Sequence, residues 1–261
     1  MKSKKISSLL SVLFIFSFVL SACGAAATEA PTSTPQPTAT ETLVPTETST
    51  STATPRPTRT PNLAATQRAE ELNAKAQAYF DLGYLTTADG EFIEYDDFSL
   101  DWAQINWYQW LPLGDQASDF YLSAHFKWSS AYRNANTSGC GFAFAIQDNG
   151  DHYAIFLDRS EILFLDSDSA YSYSRKVGLT RGTSRVKFDN PADSPVEADF
   201  TMIVKGTYAY ALVNGEVIGE YTLSQSKILR GDFGLTLLSG TNKDYGTRCE
   251  MTDIHAWIPN K

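Results

Sequence analysis

Residues 119–128 read DFYLSAHFKW. Phe120, Leu122, Ala124, Phe126 and Trp128 fall on one side of an extended chain, and Tyr121, Ser123, His125 and Lys127 on the other. Successive side chains of a β-strand point to opposite faces, so this alternation predicts a strand with one oily and one wet face.

The pattern then repeats downstream. GCGFAFAIQ (139–147), HYAIFLD (152–158), EILFLD (161–166), TSRVKFD (183–189), ADFTMIVK (198–205), YAYALVNG (208–215), EVIGEYTL (216–223), DFGLTLL (232–238) and CEMTDIHAWI (249–258) are short and rich in β-branched and aromatic residues. Turn formers bound them, including Asp148-Asn149-Gly150-Asp151 and the two-residue hairpin signal Asn214-Gly215. Nothing alternates strand with helix. Roughly ten or more antiparallel strands, each with one apolar face, predict two stacked sheets over residues 91–261.

Upstream, TPNLAATQRAEELNAKAQAYFDLGYL predicts a helix over 63–82, with Thr60 as cap, Pro61 at the first turn and Gly83 as stop. Ala65, Ala69, Leu72, Ala76 and Tyr79 share one narrow stripe, and Glu71 with Lys75 forms an i,i+4 pair on the outside. Such a stripe is too short for a coiled coil and suits packing along the following domain or service as a stalk. A monomer is expected.

Before the helix, residues 23–62 are dominated by Thr, Ser, Ala and Pro, and hold seven of the eleven prolines. A segment with almost no side chains able to form a core cannot offset its ordering entropy by burial, so it is expected to remain a disordered, extended spacer. The first 22 residues join Lys2, Lys4 and Lys5 to an apolar run from about Ile6 to Leu20 and then small residues, the order of a secretory signal. Leu20-Ser21-Ala22-Cys23 resembles the bacterial lipobox. That resemblance implies a diacylglycerol on Cys23, cleavage before it, and a lipid-anchored protein at the cell membrane, facing the extracellular or extracytoplasmic side. Gly24 stands where the family's inner-membrane retention signal has Asp.

The formal net charge is −9, and loss of the leader's lysines makes the remainder more acidic. Acidity of this size argues against nucleic acid and anionic lipid as binding partners.

ASDFYLSAHFKW (117–128), GCGFAFAIQDNGDHYAIFLD (139–158), FTMIVKGTYAYALVNGEVIGEY (200–221), GDFGLTLLSG (231–240) and GTRCEMTDIHAW (246–257) together resemble the concanavalin A-like lectin/glucanase jelly rolls, near the laminin-G-like and 3-keto-disaccharide hydrolase-like branches. The resemblance implies an all-β, two-sheet antiparallel jelly-roll sandwich. It implies little about the ligand, because one sandwich serves many functions.

Cys140 and Cys249 remain after Cys23. Outside the cytoplasm an even remainder favours a disulfide over two buried thiols.

The glucanases of this fold carry acids at alternate positions of one strand. Here Glu197-Ala198-Asp199 is followed by Phe200-Thr201-Met202, and Glu250 and Asp253 stand three apart, on opposite faces unless a bulge intervenes. No GxSxG, HExxH or Gly-rich phosphate loop is present, and His125, His152 and His255 each stand alone. Catalytic residues and cofactors are therefore not assigned. Asp148, Asn149 and Asp151, and likewise Asp166 and Asp168, are read as turn residues rather than metal ligands.

DWAQINWYQWLPLG (101–114) remains. Trp102, Trp107, Tyr108 and Trp110, with Gln104, Asn106 and Gln109 beside them, supply flat apolar rings and amides of the kind a sugar ring stacks and bonds against, in competition with a core role, and Trp107, Tyr108 and Trp110 are the expected ligand contacts. The loop of Tyr171, Tyr173 and Arg175 is a second candidate. The expectation is non-catalytic binding of extracellular or cell-wall polysaccharide. The alternatives are an envelope structural or protein-binding module and, third, a divergent glycan hydrolase.

Overall fold

The computed structural model describes residues 63–132, 137–169, 174–189 and 194–260. The leader, Cys23, the Thr/Pro spacer, Tyr171 and Tyr173 lie outside the described residues.

Among the described residues one helix, α1 (Leu63–Asp81), precedes fourteen strands in two antiparallel sheets. The larger sheet holds β1 (Gly90–Glu94), β2 (Phe98–Trp102), β4 (Phe120–Ser130), β9 (Leu179–Gly182), β10 (Val196–Lys205), β11 (Tyr208–Val213), β12 (Glu216–Thr222) and β14 (Thr247–Pro259). Its order is β1-β14-β4-β10-β11-β12-β9, with β2 also on β14. The smaller sheet runs β3-β13-β5-β6-β7-β8, from β3 (Trp107–Ala117), β13 (Gly231–Ser239), β5 (Gly139–Ile146), β6 (His152–Leu157) and β7 (Ile162–Ser167) to β8 (Arg175–Lys176). This is the two-sheet sandwich that the alternation predicts.

The oily sides of both sheets meet. Phe120, Phe126 and Phe200 of the larger sheet pack on Phe142, Phe144 and Phe233 of the smaller, all fully buried, with Phe120 and Phe233 centroids 4.3 Å apart and Phe126 and Phe142 5.1 Å apart. Each such ring contributes about 1.5–3 kcal/mol on burial. Cys140 of β5 and Cys249 of β14 form a disulfide across this core, with Cα atoms 5.6 Å apart and a separation of 109 positions in sequence. It ties one sheet to the other at the mouths of two strands.

Several expectations change. Residues 183–189, TSRVKFD, form no strand, because the left-handed backbone of Ser184 interrupts the extended run. An isolated bridge from Arg185 to Glu161 and a Val186 N–H bond to the Ser160 carbonyl hold the segment instead, while Val186 and Phe188 lean on the core. The expected wet face of β4 is also dry at Tyr121 and Ser123. There α1 lies on the outer face of the larger sheet and buries Leu72, Ala76 and Tyr79, with the Tyr79 and Tyr121 rings 5.3 Å apart.

The helix thus packs along the domain, but Ala65 and Ala69 of the predicted stripe are exposed. Lys75 does not pair outward with Glu71. It is half-buried, its ammonium held below the usual lysine range mainly by desolvation, with Asp253 and Asp199 nearby. Gly83, at φ +81°, ends the helix, and its N–H reaches the Phe80 carbonyl at 2.8 Å.

Candidate functional site

The aromatic run 107–110 opens β3, an edge strand of the smaller sheet that, among the described residues, pairs only with β13. Asn106 sets its start: at φ 56°, a conformation asparagine tolerates, its N–H donates to the Ser239 carbonyl at 2.7 Å. Register then places Tyr108 opposite Leu238 and Trp110 opposite Thr236, whose partners on the next strand are Gly139 and Gly141.

Two glycines there leave the outer face of β5 without side chains. The Tyr108 ring therefore reaches across it to Phe156 of β6, centroid to centroid 5.3 Å. Trp107, Tyr108, Trp110 and His152 make a continuous ribbon of rings, with successive centroids 6.2, 6.0 and 4.6 Å apart. Trp107 is 56% exposed, whereas Tyr108 and Trp110 are half-buried. Leu111, further along the same edge strand, is 52% exposed.

His152, solitary in sequence, is what locks this ribbon. Its Nδ1–H donates to the Gly150 carbonyl at 2.8 Å, which leaves Nε2 to accept the Tyr108 hydroxyl at 2.6 Å. The imidazole is 3% exposed, and burial holds its pKa below the usual value, with the nearby Lys227 ammonium acting the same way against the Gly150 bond and the Asp151 and Asp166 carboxylates. Nothing in its position along the chain signals this role; strand order alone brings residue 152 to residue 108.

Lys227 is the second participant that sequence reasoning passes over. Its ammonium donates to the Ser167 carbonyl at 2.6 Å, the His152 carbonyl at 3.3 Å and the Asp166 carboxylate, and stands 4.6 Å from the Tyr153 ring centroid. Asp166 is therefore an ion-pair partner and not only a turn residue; Arg175 meets its other oxygen at 3.4 Å. Asp151 takes the Ser169 N–H at 2.6 Å and bonds Asn149, as turn chemistry predicts. Beside His152 these turns frame a polar cleft of 430 Å³ reaching from Asp148 and Asn149 to Lys227 and the exposed Ile228.

The carboxylates considered for hydrolysis lie on the other sheet. A bulge between Thr252 and His255, with Asp253 at φ 53°, does intervene and brings Asp253 to the same outer face as Glu250. Each is engaged by a cation or an imidazole: Glu250 and Glu197 by Lys127 at 3.8 and 3.9 Å, Asp199 by His125 at 2.8 Å, and Asp253 by Arg68.

No family model matches the chain, and no curated protein matches it. Among solved structures it is similar to a carbohydrate binding module, CBM66 from Bacillus subtilis, at 10% identity and TM-score 0.42, over 62% of this chain and 92% of that one. Sheep galectin-11 matches at 10% identity and TM-score 0.35, over 59% of this chain and 98% of that one. A fructosyltransferase from A. japonicus matches at 14% identity and TM-score 0.42, over 67% of this chain but only 27% of that one. At such identities and scores, function has to be read from the site itself.

Proposed function

We propose that this chain is a non-catalytic glycan-binding protein that stacks sugar rings on the β3 ribbon of Trp107, Tyr108 and Trp110. The observation that carries the reading is the ribbon itself, three large rings in a row at an open sheet edge, with Trp107 more than half exposed. Burying the apolar face of a pyranose against such rings is favourable, and the amides of Gln104 and Gln109 and the polar cleft beside His152 suit the hydroxyls at its rim. Binding without turnover is supported by the placement of the paired carboxylates, which stand on the opposite sheet from the ribbon. Cys23 as a lipidated anchor would hold the domain outside the cell, with residues 23–62 as the spacer.

A glycan array with the wild-type chain and with Trp107→Ala and Trp110→Ala tests the site. Saturable binding that either substitution weakens supports it; binding indifferent to both refutes it. Reducing sugar released over hours would turn the reading toward a hydrolase. For the anchor, Cys23→Ser is expected to move the protein from the membrane fraction to the soluble one, and unchanged fractionation overturns it.

A second reading rests on the same edge. Exposed Trp107 and Leu111 on a strand with one flank unpaired among the described residues also suit addition of a strand from a protein partner. Silence across the array together with Trp107-dependent protein binding would favour it.

A further inference from the structure

Beneath α1 lies an aromatic row of the larger sheet, in which register sets Phe92, Trp257, Tyr121, Ile203 and Tyr210 side by side. The Trp257 and Tyr121 rings are within 8° of parallel. Next to this row sits His255, 1% exposed, with its Nδ1–H donating to the Asp253 carbonyl at 2.9 Å. Its Nε2, the Tyr121 hydroxyl and the Trp257 indole N–H are fully buried and have no hydrogen-bond partner among the described residues. Burying polar atoms unpaired is costly, and uncovering all three would return them to water.

The cover is thin. Only Leu72, Ala76 and Tyr79 of α1 are buried, and none of them belongs to the main core between the sheets. The remaining hold includes a hydrogen bond between Tyr79 and Thr201 of β10 and the exposed group in which Arg68 meets Glu94 at 3.1 Å and also Asp253. Leu85, buried in the same satellite cluster, and the Lys205 bond to the Gly83 carbonyl at 2.7 Å fix the chain just past the helix, so release can stop at Gly83.

We propose that α1 is an acid-released clasp, in which protonation of His255 lifts Leu63–Asp81 from the larger sheet and uncovers the Trp257–Tyr121 row.

The groups around His255 set the sign. From α1 it is faced by the cations Arg68 and Lys75 and by Tyr79; from β1 by Glu94, its register partner; from β4 by Tyr121 and Ser123; from β10 by Thr201, which bonds Ser123 at 2.8 Å; and from its own strand by Asp253, whose carboxylate oxygen is 3.7 Å from Nδ1. Both carboxylates are already engaged by Arg68, and a proton on Nε2 meets no acceptor. Desolvation, first, and then Lys75 and Arg68 hold the imidazole below its usual pKa, against the Asp253 bond. A histidine that resists protonation while covered binds its proton more readily when uncovered, so docking is full above about pH 6.5 and weakens as pH falls below it.

Hydrogen exchange of the intact chain, corrected for the intrinsic pH dependence of exchange, tests this on peptides from α1 with β5 peptides as reference. Below about pH 6.5, α1 protection is expected to fall by up to about tenfold per pH unit while β5 protection holds. His255→Asn, which keeps a donor for the Asp253 carbonyl, removes the response, whereas His125→Asn leaves it in place. Protection of α1 that is independent of pH, or that falls equally in His255→Asn, overturns the proposal; should that variant not fold, the wild-type profile decides alone.

Discussion

The hydroxyl of Tyr108 lies 2.6 Å from Nε2 of His152, although 44 residues separate them in sequence. The bond spans from the edge of the smaller sheet to its fourth strand across a strip floored by Gly139 and Gly141, and it fixes the tilt of the middle ring of the ribbon. Removing the hydroxyl leaves a buried imidazole nitrogen without its donor. Tyr108→Phe is therefore expected to lower stability by about 1 kcal/mol, read as a fall in the urea midpoint at unchanged m-value.

Acid should also weaken the ribbon. The folded state holds His152 neutral, with its pKa below the unfolded value because of burial. The stability this contributes is complete above about pH 6.5 and is lost as pH falls from there through the folded pKa. Urea midpoints measured between about pH 7 and pH 5 are expected to fall, and His152→Asn should flatten the slope. An unchanged slope in that variant would remove His152 from the acid response.

The Lys227–Asp166 pair is buried on both sides, with side chains 11% and 12% exposed. Removing the ammonium leaves the Asp166 carboxylate with only the longer Arg175 contact at 3.4 Å, so Lys227→Met is expected to cost up to about 3 kcal/mol. Lys227→Met with Asp166→Asn together should recover part of that loss, because the stranded carboxylate is gone. A double-mutant cycle with no coupling between the two positions would contradict this.

The Cys140–Cys249 bridge closes a loop of 109 residues. In the chain-entropy account such a loop contributes on the order of 4 kcal/mol. Comparison of urea midpoints for the oxidised protein and for Cys140→Ala/Cys249→Ala should show a loss of that order, and two midpoints that coincide would show the bridge to be idle.

The sandwich was legible because its signal is local. Phe120 to Trp128 alternate over nine residues, and any register that buries one of them buries them all. The cover on that sheet was not legible, since Tyr121 and Ser123 look like solvent residues until Tyr79 and Ala76 are brought onto them from a separate element. TSRVKFD alternates as well as its neighbours do, yet the backbone turn at Ser184 takes it out of the ladder. At the site, the clustering of Trp107, Tyr108 and Trp110 was visible as composition. Its completion by His152 and Lys227 depends on which strands are neighbours, and no spacing along the chain encodes that order.

The chain has five tryptophans, and each indole N–H gives its own signal in a nitrogen–proton correlation spectrum. The indole nitrogens of Trp102, Trp128 and Trp257 are buried, whereas Trp107 and Trp110 line the ribbon. Titration with a glycan that the protein binds is predicted to move the Trp107 and Trp110 signals, saturably and with one shared dissociation constant, while the other three stay in place. A bound glycan that leaves both signals unmoved, or that shifts the buried three instead, contradicts the central claim that the edge ribbon is the sugar-stacking surface.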